Sequence, residues 1–190
     1  ELNISDDTFL IGSLARYHPM KDQANFLKAA KILLADCPET KFVMIGINVD
    51  HENATLTSLI DKLGIVESIY LLGQRKDVPQ ITPALDILTT SSAFGEAFPM
   101  VVGEAMSCGV PCVVTDIGDT AWIVGNTGKV VPPKNSTALA KAWQEMISMD
   151  KSAREGLGKS ARNRIMDKFS LDKIVDQYEH LYQSIVTEQN

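Results

Sequence analysis

Ser91-Ser-Ala-Phe-Gly-Glu-Ala-Phe-Pro-Met-Val-Val-Gly-Glu-Ala-Met-Ser-Cys-Gly-Val-Pro-Cys-Val-Val114 is the stretch on which the reading of the fold turns. The apolar, β-branched runs Ile87–Thr90 and Cys112–Thr115 lie at its two ends, so it reads as strand, loop, helix, strand. Gly95 favours a loop and Pro99 suits the first helical position, which puts Glu96 in the loop and Glu104 about a turn and a half into a helix over Met100–Ser107. The amides of Met100 to Val102 are then expected to lack intrahelical partners and to sit at the positive end of the helix dipole, a place that suits phosphate. Carboxylates beside an anion site cost energy unless they have a task. Accepting hydrogen bonds from sugar hydroxyls is such a task.

The same alternation runs outward in both directions. Strands are expected at Phe9–Leu14, Lys41–Ile45, Ile69–Leu72, Ile87–Thr90, Cys112–Thr115 and Lys129–Val131, with helices at Asp22–Ala35, Thr55–Leu63, Val78–Pro83, Met100–Ser107, Thr120–Val124 and Ser136–Met149. This predicts an α/β fold: a doubly wound, Rossmann-like parallel sheet of about six strands with helices on both faces. Asp22, Ser136 and Ser170 are candidate helix caps. After Asp150 only helical patterns remain, Ala153–Lys168 and Leu171–Val186, forming a C-terminal helical tail. Ile174, Tyr178, Leu181, Tyr182 and Ile185 lie on one stripe of the last helix. Residues 1–169 are therefore read as one domain and residues 170–190 as a helix that packs on it or toward a domain outside this chain. The start at Glu1 without Met, with a strand almost at once, suggests part of a longer protein.

Of the 190 residues, 45% are hydrophobic and 22% charged, with a formal net charge of −6. That balance argues against a nucleic-acid binder, which would carry a basic face. Between Lys76 and Lys129 there is no Lys or Arg. Any cation for a central phosphate must come from another segment, and Arg16, Lys21 and Arg75 are the candidates. Cys37, Cys108 and Cys112 match neither a redox pair nor a zinc set and read as reduced, mostly buried thiols. No apolar run has the length of a bilayer span and no signal peptide is visible, so a reducing cytoplasm suits the chain best.

In an open doubly wound sheet, ligands bind beyond the carboxyl ends of the strands. Three loops leave strands there with polar or Gly residues: Ala15–Lys21, Gly73–Asp77 and Ser91–Pro99. In the first, Pro19 stiffens the backbone between two cations, Arg16 suited to oxygen pairs and Lys21 to a point phosphate charge. In the second, Arg75 precedes Asp77, a candidate cap. Gly156-Leu-Gly-Lys-Ser160 looks like the end of a Walker loop, but Ala153 stands where its first Gly belongs and the stretch is helical, so that reading is rejected. No Gly-x-Gly-x-x-Gly occurs, which weakens an NAD reading. His18, His51 and His180 are scattered, and nothing supplies a hard-oxygen cage beside the acids, so no metal is expected.

Taken together, Ala15-Arg16-x-x-x-x-Lys21, Leu72-Gly73-Gln74-Arg75-x-Asp77-Val78, Asp86-Ile-Leu, Glu96-x7-Glu104-Ala-Met-x-x-Gly109-x-Pro111 and Gly128-x-Val-Val-Pro132-Pro resemble the C-terminal, donor-binding half of the GT-B retaining glycosyltransferases of group 1, the family 4 type. The resemblance runs in order over roughly Phe9 to Phe169. It implies a nucleotide-sugar site with Arg16 and Lys21 on the diphosphate, Glu104 on ribose hydroxyls, and the base against the Arg75–Val78 turn. Glu96, with Ala97, Phe98, Pro99, Met100 and Val101, would hold the transferred sugar and phosphate. Glu96, Arg16 and Lys21 become the expected catalytic group. Cations and helix amides then stabilise the leaving diphosphate in place of a metal. No cofactor beyond the donor is implied.

An acceptor glycan or lipid would bind a separate N-terminal domain, through which any peripheral membrane contact would also run, and this chain alone would be inactive. Polysaccharide or envelope glycan assembly is the implied setting. Ala97 and Ala15 stand where Gly is common in the family and Trp122 where an acid is frequent. Two alternatives stay open, a sugar-nucleotide epimerase-like enzyme and a non-catalytic flavodoxin-like nucleotide-binding module. A pyridoxal phosphate phosphorylase would need a Schiff-base Lys near the site, and residues 77–128 hold none.

Overall fold

The strands of the computed structural model pair in the order β3-β2-β1-β4-β5-β6, all parallel. They are β1 (Leu10–Leu14), β2 (Lys41–Ile45), β3 (Ile69–Leu71), β4 (Ile87–Thr90), β5 (Cys112–Thr115) and β6 (Lys129–Val131). The structure describes residues 4–5 and 7–188; the outer ends of the two expected segments, 1–3 and 189–190, lie outside that range, as does residue 6. The order reverses between β1 and β4, which makes the carboxyl ends of those two strands the topological switch point of the sheet.

Alternation along the strands divides the core into two layers. Ile11, Phe42, Met44, Ile69, Ile87 and Val113 point to one face, where helices α1 (Gln23–Leu33), α2 (Ala54–Leu63) and α6 (Ser136–Ile147) cover them. Leu10, Val43, Ile45, Leu88, Cys112 and Val114 point to the other. That face is covered by α4 (Met100–Ser107), α5 (Thr120–Val124) and α7 (Lys151–Phe169), with the short α3 (Val78–Ile81) beside them. The sheet is thus buried on both faces, which is why its strands read as continuous apolar runs.

Helix starts follow local chemistry with three differences from expectation. Asp22 caps α1, its side chain accepting from Asn25 N at 3.2 Å, while its own backbone is left-handed at φ 47°. For α6 the cap is Asn135 rather than Ser136, with Oδ1 accepting from Ala138 N at 2.9 Å. Pro99 is the residue before α4, not its first helical residue. Asp77 precedes α3 but makes no side-chain cap, because both its oxygens are taken by Arg75.

The helix α8 (Leu171–Glu188) follows α7 across Ser170, whose carbonyl accepts from Ile174 N. Its apolar stripe stays open: Leu171, Val175, Tyr178, Leu181, Tyr182 and Ile185 are all exposed. The glycines of the rejected Walker stretch lie inside α7, and Gly158 explains itself by packing. A Cβ there would stand 2.0 Å from the carbonyl oxygen of Gly109, so α7 crosses the end of α4 backbone to backbone. Among the cysteines, Cys112 is buried, and burial pushes its thiol well up; Cys37 is half-buried and Cys108 exposed, so the thiols are not mostly buried.

Candidate functional site

The loops after β1 and β4 are stitched together at the switch point. Ala93 N donates to Met20 O at 2.8 Å, and Ser91 Oγ donates to Lys21 O at 2.8 Å. Pro19 opens a single 3-10 turn, Pro19–Lys21, and the His18 ring accepts from Met20 N at 3.1 Å, which settles that histidine as a local cap. This turn aims Lys21 across the gap between the strands. Its Nζ meets Glu96 Oε1 at 2.5 Å, and Ser92 Oγ donates to the same oxygen at 2.5 Å. The Glu96 side chain is only 6% exposed and that of Lys21 19%.

Two residues expected to serve different parts of a ligand are therefore joined in a largely buried ion pair. A pair so withdrawn from water holds its geometry because losing either partner leaves an uncompensated charge. Glu96 Oε2 has no donor among the described residues. The loop carrying Glu96 is fixed from behind: Asp119 N donates to Ala97 O at 3.0 Å, and a Cβ on Gly118 (φ 58°) would stand 2.1 Å from Glu96 O. Glycine is required there on both counts.

Beyond this centre, Arg16 is exposed and makes no ion pair among the described residues. The backbone oxygen of Arg16 is held by Gln23 Nε2 at 2.9 Å. The amides of Met100 and Val101 make no hydrogen bond to described residues, whereas Val102 N donates to Pro99 O at 3.1 Å, so the helix start offers two free amides rather than the three expected. Ala97 and Phe98 are exposed, Pro99 is buried, and Glu104 is exposed on α4.

Arg75 and Val78 are placed elsewhere. Their loop continues β3, at the sheet edge, and Arg75 chelates Asp77 through Nε at 2.8 Å and a terminal nitrogen at 2.6 Å. That guanidinium holds the Asp77 carboxyl below the usual carboxylate range. No described contact ties this turn to the Lys21–Glu96 pair; the link is stepwise, with Gly46 N donating to Gly73 O and Ala15 N to Ile45 O.

Ser92 is the site residue that sequence reasoning missed. The available signal was its place two residues past the end of β4 and four before Glu96, but a serine there reads as ordinary loop. Trp122 takes part in an aromatic cluster with Phe98 (centroids 6.2 Å apart) and Phe169 (4.9 Å), which ties the loop before α4 to the end of α7. Among the described residues no group of three or more His, Cys, Asp or Glu is placed to hold a metal, and no helix is long and apolar enough to cross a membrane.

The polar centre of this doubly wound domain lies at the switch point, where open α/β sheets take their ligands. The profile of the family described as "Glycosyl transferases group 1" matches residues 1–164, and the chain belongs to that family. Its fold is that of the C-terminal domain of GT-B glycosyltransferases. The chain is 25% identical over 188 residues to N-acetyl-alpha-D-glucosaminyl L-malate synthase of Bacillus anthracis, covering 98% of this chain and 48% of that protein. It is 26% identical over 189 residues to UDP-Gal:alpha-D-GlcNAc-diphosphoundecaprenol alpha-1,3-galactosyltransferase of Escherichia coli, covering 97% and 48%. The crystal structure of Anabaena HepE in complex with UDP and glucose superposes with a TM-score of 0.82 at 26% identity, covering 94% of this chain and 49% of that one. The chain thus spans about half the length of the curated relatives it matches. Family membership sets aside the flavodoxin-like module as an account of the chain.

Proposed function

We propose that this chain is the donor-binding half of a retaining hexosyltransferase, holding a nucleoside-diphosphate sugar at the carboxyl ends of β1 and β4. The observation that carries the reading is what the loops at the carboxyl ends of β1 and β4 hold: a cation and a carboxylate already paired and, among the described residues, a second cation without a carboxylate and two helix amides without an acceptor. Support from relatives is that HepE was crystallised with UDP and glucose and that the E. coli relative is named for a UDP-Gal donor and a diphosphoundecaprenol acceptor. The acceptor, a glycan or a lipid-linked sugar, belongs to an N-terminal domain outside this chain, and the open stripe of α8 is directed to that domain. Alone, the chain binds donor but transfers nothing.

In this site Arg16 and the amides of Met100 and Val101 take the diphosphate charge as it develops on the leaving group, and no metal is required. Lys21 serves both the phosphate and Glu96. The Glu96 carboxylate takes a sugar hydroxyl and Glu104 the ribose. The Arg75–Val78 turn lies against the base. Retention follows from attack on the face the diphosphate leaves, with the departing phosphate taking the acceptor proton.

Because Arg16, of the three candidate cations, pairs with no carboxylate among the described residues, Arg16→Ala is expected to weaken nucleoside diphosphate binding roughly tenfold to a hundredfold, the scale of one charged hydrogen bond, and to leave the bare nucleoside within about twofold. Calorimetric titration of UDP, GDP and ADP against uridine, guanosine and adenosine checks it. Equal losses for nucleoside and diphosphate would remove Arg16 from the phosphate.

A further inference from the structure

We infer that Ser92 is a positioning residue that fixes the plane of the Glu96 carboxylate, so that Oε2 alone is presented to the donor sugar. The inference rests on the donor-site reading above. An ionised carboxylate has two oxygens with about four acceptor sites, and its terminal torsion is broad and nearly two-fold. One donor therefore anchors a carboxylate oxygen without fixing which way the group faces. Here two donors from separate segments converge on one oxygen, Lys21 Nζ and Ser92 Oγ each at 2.5 Å from Oε1. With Oε1 occupied from two directions, the plane is set and Oε2 is left as the open acceptor.

The serine is itself held. Ser92 is 1% exposed, and its carbonyl accepts from Thr115 Oγ1 at 2.8 Å. Thr115 is fully buried on β5, and its own carbonyl accepts from Thr120 Oγ1 at 2.6 Å at the start of α5. The orientation of Glu96 is thereby referred back to the rigid sheet rather than to the loop on which Glu96 sits. A site whose supporting side chains are locked in this way keeps its reacting groups within the narrow tolerance that recognition demands. Without the Ser92 hydroxyl, Lys21 remains as a point charge that donates to either carboxylate oxygen, and the group is free to turn.

The test is a titration of wild type, Ser92→Ala, Ser92→Cys, Glu96→Gln and the Ser92→Ala/Glu96→Gln double variant with UDP and with UDP-glucose, each variant checked by its thermal midpoint and circular dichroism. The readout is the ratio of the two dissociation constants, which isolates the sugar contact. Wild type is expected to prefer UDP-glucose, Ser92→Ala to lose about tenfold in that ratio while its UDP affinity stays within about twofold, and the double variant to match Glu96→Gln alone. Ser92→Cys, a weak donor of similar size, is expected to recover part of the loss. A wild-type ratio of one, an unchanged ratio in Ser92→Ala, equal losses for both ligands, or losses that multiply in the double variant would each overturn the positioning role. Failure of wild type to bind any of UDP, GDP and ADP would overturn the donor-site reading and this inference with it; where GDP or ADP binds in place of UDP, that nucleotide and its glucose conjugate replace the UDP pair in the same ratio. Sound UDP binding with an unchanged ratio in Ser92→Ala overturns the inference alone.

Discussion

Glu96→Gln is expected to lower turnover of the full-length enzyme by about 100-fold or more while leaving nucleoside diphosphate affinity nearly intact, the scale of losing one contact made in the transition state. The amide keeps the shape of the side chain and an oxygen for Ser92, but it removes the charge that faces Lys21 and the second carboxylate oxygen. Glu104→Gln is expected to behave differently: exposed on α4, it is assigned to the ribose, which diphosphate and nucleotide sugar share, so both should weaken together. Steady-state kinetics with product inhibition by the diphosphate separates the two. Near-normal turnover in Glu96→Gln, or a loss of diphosphate affinity as large as that of Glu104→Gln, would reverse the assignment.

The largest effect on stability is expected at Trp143. Its side chain is fully buried between α6 and the sheet, with ring centroids 5.1 Å from Phe26 and 5.6 Å from Phe42, and its Nε1 donates to Thr89 Oγ1 at 2.8 Å. Trp143→Ala deletes the centre of that layer and leaves the Thr89 hydroxyl buried without its donor. A loss of about 3–5 kcal/mol follows from the cavity, and the unpaired hydroxyl adds to it. For a chain of this size that lowers the melting midpoint by roughly 6–20 °C. Trp143→Phe retains most of the packing and should cost distinctly less. A midpoint for Trp143→Ala within 2–3 °C of wild type, about the shift that 1 kcal/mol gives, would show that this layer is not the keystone of the core.

The sheet was readable in the sequence because parallel strands buried on both faces leave unbroken β-branched runs, and every expected strand lies within a residue of an observed one. Residues whose role depends on one loop were also legible: Asp22 as a cap and Gly95 in the turn before α4. What sequence could not supply is pairing across distance. Lys21 and Glu96 are 75 residues apart, and nothing in either segment says that the cation reaches the carboxylate rather than a ligand. Ser92 escaped for the same reason, since its meaning lies in the oxygen it meets. Position alone marks Asp77 as a cap, but a guanidinium two residues away offers two charged hydrogen bonds where a cap offers one backbone amide. Trp122 stands out against the family pattern, and its contact with Phe98 and Phe169 appears only once α7 folds back past α5.

The central claim, that the switch point between β1 and β4 is a metal-independent nucleoside diphosphate site, is tested most directly by thermal unfolding of this chain with UDP, GDP and ADP, with and without EDTA. One of the three at about 100 times its dissociation constant should stabilise the fold by roughly 2.7 kcal/mol, unchanged by EDTA and reduced in Arg16→Ala. No shift with any of them at millimolar concentration, or a shift abolished by EDTA, would contradict the account.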